Sequence, residues 1–269
     1  MPELGDLAIN LIASVIAGTA VFVWQLLRRR RHRQRRRRFF GLDTRRSCVV
    51  YMPRHASATS ALSVHQRDTA AAVEIASATR ECGAEIELIL PSPDQRVPQR
   101  QLGSDAEFTI GGPEANPRMA AHLETFLPGL SMDPYATSAN LAIRVGDATF
   151  AQQPGKAEHV AVAKIVTADG APVFALCGQT AISNHAAARY LCRDYRSLMR
   201  RYGTSGRFCL VLKVVNPWAY GERKIELVAD VTEDAFTAAP RNETTRGEVS
   251  KRHAVADLDG PGEPLSPPS

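Results

Sequence analysis

An uncharged run that ends in a wall of arginine sets the first constraint on this chain. Residues 7 to 27 read LAINLIASVIAGTAVFVWQLL, 21 positions without a formal charge, and the next eleven positions hold nine arginines. As an α-helix the run is roughly 31 Å long, close to the ~30 Å hydrocarbon core of a bilayer. Asn10 and Gln25 fall near its ends, and a helical Ser14 or Thr19 can bond its own backbone. A secretory signal peptide has the opposite polarity, with positive charge first and a small-residue cleavage site after. Here Glu3 and Asp6 come first and the arginines follow. The order predicts a single-pass transmembrane helix over 7–27, with residues 1–6 outside. The basic segment 28–46 and everything after it are then cytoplasmic, by the positive-inside rule. Trp24 is expected at the interface, and Arg28, Arg29, Arg30 and Arg31 against anionic lipid headgroups. Ser14 and Gly18 form a small-x-x-x-small pair that permits homodimerisation, although an Ala-rich helix carries such pairs by chance.

Charge then has to be read by region. Eleven arginines against Glu3, Asp6 and Asp43 put +8 into residues 1–46, so the net +5 of the chain leaves −3 for the remainder. Nucleic-acid binding needs a basic patch on the domain itself, and this domain is mildly acidic. The five cysteines (Cys48, Cys82, Cys177, Cys192 and Cys209) are odd in number, widely spaced and set among apolar residues. They read as reduced, buried thiols of a cytoplasmic domain. A couple between Cys177 and His185 is conceivable, but a strand cysteine is more often a small hydrophobe.

Beyond residue 46 the pattern alternates between strand and helix. Ser47–Pro53 reads as a buried strand, and Ser63-Val64-His65-Gln66 matches a capping box that opens an Ala-rich helix to Cys82. Asp68 and Glu74 on that helix are expected to face solvent. Ala84–Leu90 is a second strand, so strand, helix and strand form a parallel βαβ unit. Pro91–Ser104 reads as a surface loop and Asp105–Ile110 as a strand. Gly111-Gly112-Pro113 follows, then Asn116 as N-cap, Pro117 at the first helical position, and a helix from Arg118 to about Leu127. His159–Thr167 and Ala171–Leu176 flank Asp169-Gly170, a hairpin signal. A helix is expected from His185 to Tyr202. Phe208–Val215 and Lys224–Val231 form a second hairpin around Asn216–Gly221, whose Trp218 and Tyr220 can pack on their own domain or stack on a ligand. After Phe236 the chain lacks periodicity and reads as a disordered tail, 237–269. The α/β domain is thus 47–236, a mainly parallel sheet with antiparallel hairpin additions.

In an open α/β sheet, ligands bind beyond the C-terminal strand ends, where loops enter helix N-termini. Three loops qualify. The first supplies Arg54, Ser57, Thr59 and Ser60. The second supplies Gly111, Gly112 and Asn116, whose glycines let backbone N–H groups approach an anion at a helix N-terminus. The third supplies Gly178, Thr180, Ser183 and Asn184. Ordinary turn chemistry explains the same residues without any ligand. Neither Gly-x-Gly-x-x-Gly nor Gly-x-x-x-x-Gly-Lys occurs, and the seven histidines show no metal spacing.

The Gly111-Gly112-Pro113-x-x-Asn116-Pro117 junction and the later Gly178–Asn184 junction resemble those of Rossmann-like nucleotide-sensing domains, the SLOG group. The resemblance covers about residues 47–200. Gly178-Gln179-Thr180 departs from the richer Gly-Gly-x-Gly-Thr pattern of that group. The resemblance implies a Rossmann-like fold and a nucleotide or NAD-derived ligand at Gly111, Gly112 and 178–184. The Ala/Arg-rich composition resembles that of high-GC bacteria. The expected function is a membrane-anchored cytoplasmic sensor domain for a nucleotide or other anionic metabolite. Its alternatives are a tethered nucleotide hydrolase or glycosidase, and a scaffold of a membrane complex with no small ligand.

Overall fold

The computed structural model describes residues 2–42, 47–55, 60, 63–90, 101–135, 141–167 and 170–238, with side chains from Val15 onward. Ser57, Thr59 and Asp169 lie outside the described residues, as do most of the Pro91–Ser104 loop and residues 239–269 of the tail.

Helix α1 (Pro2–Phe39) is continuous through the arginine block. Every residue from Val15 to Arg31 is exposed, including the apolar Val15, Ile16, Phe22 and Trp24. Among the described residues, no helix is long and apolar enough to cross a membrane. The C-terminal end of α1 is different in kind. Phe39, Phe40 and Leu42 are 0% exposed and belong to the main hydrophobic core, although all three lie within the basic segment read from sequence.

That core sits against a seven-stranded sheet. Strands β1 (Ser47–Tyr51), β2 (Glu85–Ile89), β3 (Ala106–Ile110) and β8 (Val173–Gly178) pair parallel. Strand β7 (Ala157–Ile165) is antiparallel to β8 and to β9 (Phe208–Val215), and β10 (Ile225–Asp230) closes the far edge antiparallel to β9. The order is β10-β9-β7-β8-β3-β1-β2, so most strands run one way and the rest arrive as the two hairpins. Both faces of the central strands are covered, which is why β3, β7 and β8 read as unbroken buried runs.

One face carries α2 (Gln66–Arg80), α4 (Ala181–Tyr202) and the end of α1 over Val50, Phe108, Phe174, Leu176 and Leu212. The other carries α3 (Pro117–Phe126), the short α6 (Thr232–Phe236) and a three-stranded antiparallel sheet. That small sheet is β4 (Leu130–Met132), β5 (Ala142–Val145) and β6 (Ala148–Ala151). Strand β4 is too short to show a period of two and leaves no sequence signature.

Two helix starts differ from expectation. The capping box at Ser63 does not form: α2 begins at Gln66, and the Nδ1 of His65 accepts the Arg67 N–H at 3.1 Å. Helix α4 begins at Ala181 rather than His185, because Thr180 and Ser183 exchange side-chain and backbone hydrogen bonds as a capping box. The expected ligand loop 178–184 is therefore half loop and half first helical turn.

Candidate functional site

The chain leaves β1 toward β2 on one side and returns to β3 on the other, so a crevice opens beyond the C-terminal ends of β1 and β3. A cleft of about 850 Å³ lies there, large enough for a ligand of nucleotide size. Its walls include Pro53 to His55, His65 and Asp68, Gly111 to Ala115, Gly178 to Ala181, and Asn184. Three loops far apart in sequence thus meet in one cavity. Arg54, Gly111, Gly112, Gly178, Thr180 and Asn184 all line it.

Asn116 and Ser183 do not. Both are 0% exposed and serve the backbone. The Asn116 Nδ2 donates to the carbonyls of Tyr51 at 3.2 Å and Ile110 at 2.9 Å, while its Oδ1 accepts the Arg118 N–H. It pins the ends of β1 and β3 together as it caps α3. Ser183 closes the α4 capping box. Their role is to hold the rim in shape.

The glycines are required by close approach. Gly111 has φ +94°, and a Cβ there would sit 2.6 Å from the Cβ of Pro53. At Gly178 a Cβ would meet Asn184 Oδ1 and Ser183 Oγ, each at 2.5 Å. Bare backbone at Gly111 lets the loop after β3 meet the loop after β1, and at Gly178 it lets the chain turn tightly into α4.

The electrostatics of the cleft favour an anion at one wall. The α4 N-terminus points in, and its capping box satisfies the Thr180 and Ser183 N–H groups but not those of Ala181 and Ile182, which have no intrahelical acceptor. Among the described residues, the buried Nε of Arg54 meets no hydrogen-bond partner. The backbone N–H of Arg54 is bonded to the Ala115 carbonyl at 2.9 Å, which positions the residue on the cleft wall. Burial, with His55 and Arg67 adding to it, pushes His65 down and leaves a neutral imidazole at pH 7. The His55 and His65 rings lie 5.2 Å apart. Glu114 and Asp133 are already engaged, the first accepting the Tyr135 N–H at 2.7 Å and the second paired with Arg144.

Asp68 overturns a sequence expectation. Rather than facing solvent, it is 5% exposed and lines the cleft. Its Oδ1 accepts from Asn184 Nδ2 at 2.8 Å, and the Asn184 Oδ1 in turn accepts the Gly178 N–H at 2.9 Å. Burial raises the carboxyl to about 6, an effect only partly offset by Asn184 and the charge of His55. The sequence did contain a signal: Asp68, Ala71, Ala72 and Ile75 follow the i, i+3, i+4, i+7 spacing of a buried helix face. Glu74 is only half-buried and bridges Arg189 at 3.1 Å.

Several other candidates fall away from the cleft. Cys177 is 1% exposed, with its thiol pushed up to about 12 by burial, so no couple with His185 activates it. All five cysteines are free and buried. Trp218, 79% exposed on α5 (Pro217–Tyr220), stands over Gly155, and neither it nor Tyr220 lines the cleft. The Arg28 guanidinium sits over the Trp24 ring at 5.2 Å, and Arg28 to Arg31 are exposed on α1. Among the described residues, no cluster of His, Cys, Asp or Glu has the makings of a metal site.

Comparison with protein-family models, curated proteins and solved structures finds no match for this chain. The resemblance to nucleotide-sensing domains rests on the two glycine-containing junctions alone.

Proposed function

We propose that the chain is a membrane-anchored binding protein whose domain holds a nucleotide or a similar anionic metabolite on the cytoplasmic side. One observation carries the ligand half of this reading: three separate loops deliver Arg54, the N-terminus of α4 and two bare glycine turns to one cleft. Such an arrangement suits a phosphate or another compact anion. The less polar lining of Met132, Tyr135 and Leu141 suits a flat ring beside it.

The membrane half is supported by the uncharged run 7–27 and the arginines behind it. The place where α1 joins the domain fits that reading. Helix α1 enters the domain at the N-terminal ends of the parallel strands, where Phe39 packs on Phe174 and Phe208. The cleft opens beyond the C-terminal ends of β1 and β3. A domain hung from the bilayer by α1 would therefore present its ligand site away from the lipid.

Two measurements test this. A thermal-shift screen of the detergent-solubilised full chain with nucleotides and NAD derivatives should raise Tm by mass action. No shift at millimolar ligand sinks the ligand half, and conversion of the ligand during incubation makes the protein an enzyme rather than a sensor. Cell fractionation should place the chain with membranes until detergent is added, and a reporter fused after Phe236 should read cytoplasmic. Release without detergent overturns the anchor.

A further inference from the structure

The −3 that remains for the residues after 46 is not spread evenly over the domain. Helix α4 carries five arginines against the single acid Asp194. Glu74 and Asp230 pair with two of them, Arg189 and Arg201. Arg193, Arg196 and Arg200 are exposed and form no ion pair among the described residues. Arg196 donates to the Tyr195 hydroxyl and Arg200 to the Ser197 hydroxyl. Spacing of i, i+3 and i+7 sets the three on one outward face. The helix macrodipole accounts for arginine in the last turn, but not for Arg193 and Arg196.

These arginines lie in the half of α4 farthest from the cleft. The helix starts at the cleft with Thr180, and beyond its other end the Thr204 carbonyl shares the Lys164 Nζ with Phe39 of α1. Two guanidinium groups meet over one ring on that helix. Arg36 of α1 and Arg196 of α4 lie 5.1 and 5.8 Å from the centre of Tyr195. On α1, Arg29, Arg33 and Arg36 follow at i, i+4 and i+7, so a basic strip runs from the end of the uncharged run onto the domain. From Leu27 to Arg36 the helix advances about 14 Å. That depth matches roughly 6 Å of headgroups plus a Debye length of about 8 Å. The α4 face is therefore within reach of a charged surface, and an ordinary tilt of α1 closes the gap.

We infer that the outward face of α4, at Arg193, Arg196 and Arg200, docks the domain on an anionic phospholipid surface. This rests on the anchor half of the reading above and adds a contact made by the domain itself. Guanidinium groups suit phosphate oxygens, and continuity with the α1 arginines behind an uncharged run favours phosphates of a bilayer over those of a free polyanion. The chain is then held at two points, by α1 through the bilayer and by α4 upon it.

The test uses the full chain with Ser197→Cys, whose added thiol can be labelled because the five native cysteines are buried. Energy transfer from a dye there to headgroup-labelled lipid is read in vesicles of phosphatidylcholine alone or with about 30% phosphatidylserine. The anionic vesicles should raise transfer at least about twofold, and about 0.5 M salt should return it to the neutral value. Arg193→Glu, Arg196→Glu and Arg200→Glu together should remove the gain while the chain still floats with both vesicles. The corresponding Gln triple serves if that protein does not fold. Equal transfer in the two vesicles for the Ser197→Cys chain overturns this inference and leaves the anchor standing. If the same arginines then retain a DNA duplex, the surface is a nucleic-acid contact instead. Failure to float with either vesicle overturns the anchor and the two-point attachment together.

Discussion

Two carboxylates in this molecule are equally buried and differently furnished. Glu107 on β3 and Asp68 on α2 are each 5% exposed. Under α3, Glu107 receives the Arg118 guanidinium in bidentate fashion at 2.8 and 2.7 Å, His122 Nε2 at 2.5 Å and the Thr109 hydroxyl at 3.2 Å. Burial works to raise its pKa, but Arg118 and His122 outweigh that and hold it at about 2. At the cleft, Asp68 accepts from Asn184, and burial raises its pKa to about 6. Glu107 is a structural clasp held by its cationic partners, whereas Asp68 is a raised carboxyl on the wall of a cleft.

Breaking the clasp should give the largest effect. Arg118→Ala leaves Glu107 buried without its main partner, and urea denaturation should show a loss of about 3–5 kcal/mol. A loss below about 1 kcal/mol would mean that the Glu107 network is less rigid than its geometry implies.

Acid titration should separate the two carboxylates by sign. Glu107 has a folded pKa below its ordinary value of 4.5, so its stabilisation is present above that value and is lost as pH falls from 4.5 toward 2. Asp68 is raised from 3.8 to about 6, so its contribution is present below pH 4 and is lost as pH rises through 6. The groups facing it, His55 from the loop after β1 and Asn184 from α4, offset only part of this. Glu107→Gln should flatten the acid limb of the stability curve, and Asp68→Asn should remove a decline between pH 4 and 6. Matching pH profiles for the two variants would erase the distinction.

At pH 7.5, Asp68→Asn should leave Tm unchanged or raise it by roughly 2–4 °C, the expected sign where a functional group is held at a cost to stability. A drop of several degrees would make Asp68 structural. The smallest stability effect belongs to Arg54→Ala, within about 0.5 kcal/mol, since its buried Nε meets no partner among the described residues. The same change should abolish any nucleotide-induced thermal shift. Retention of that shift would move the anion site elsewhere.

A third buried charge, Lys164, shows how far the clasp principle extends. It is 1% exposed on β7, where its Nζ donates to the carbonyls of Phe39 at 2.9 Å and Thr204 at 2.5 Å, with the Phe39 ring 4.6 Å away. Burial lowers it to about 8. It ties the last turn of α1 to the sheet, and Arg36 paired with Glu81 and stacked on Tyr195 braces the turn before. The arginine helix and the domain are joined firmly.

Local signals found most of the elements because they need only neighbouring residues. The apolar runs of β1, β3 and β8, the Asn116-Pro117 start of α3 and the Asp-Gly hairpin were all legible for this reason, and so were the strand-end loops. The signals failed where a partner far along the chain decided the outcome. Ser63 offered a capping box, but α2 began at Gln66 under His65 instead. The spacing of Asp68 with Ala71, Ala72 and Ile75 marked a buried face, but its partner Asn184 lies 116 positions away and no local pattern shows it.

By itself, the order of residues determined the uncharged run, its arginine border and the alternation of strands and helices, since hydropathy and periodicity act over a few turns. Only the tertiary structure decided that Phe39 and Phe40 leave the arginine block to enter the core, that β3 takes its place between β1 and β8, and that three distant loops share one cleft. Those outcomes depend on which surfaces exclude water together, and a linear pattern carries no record of that.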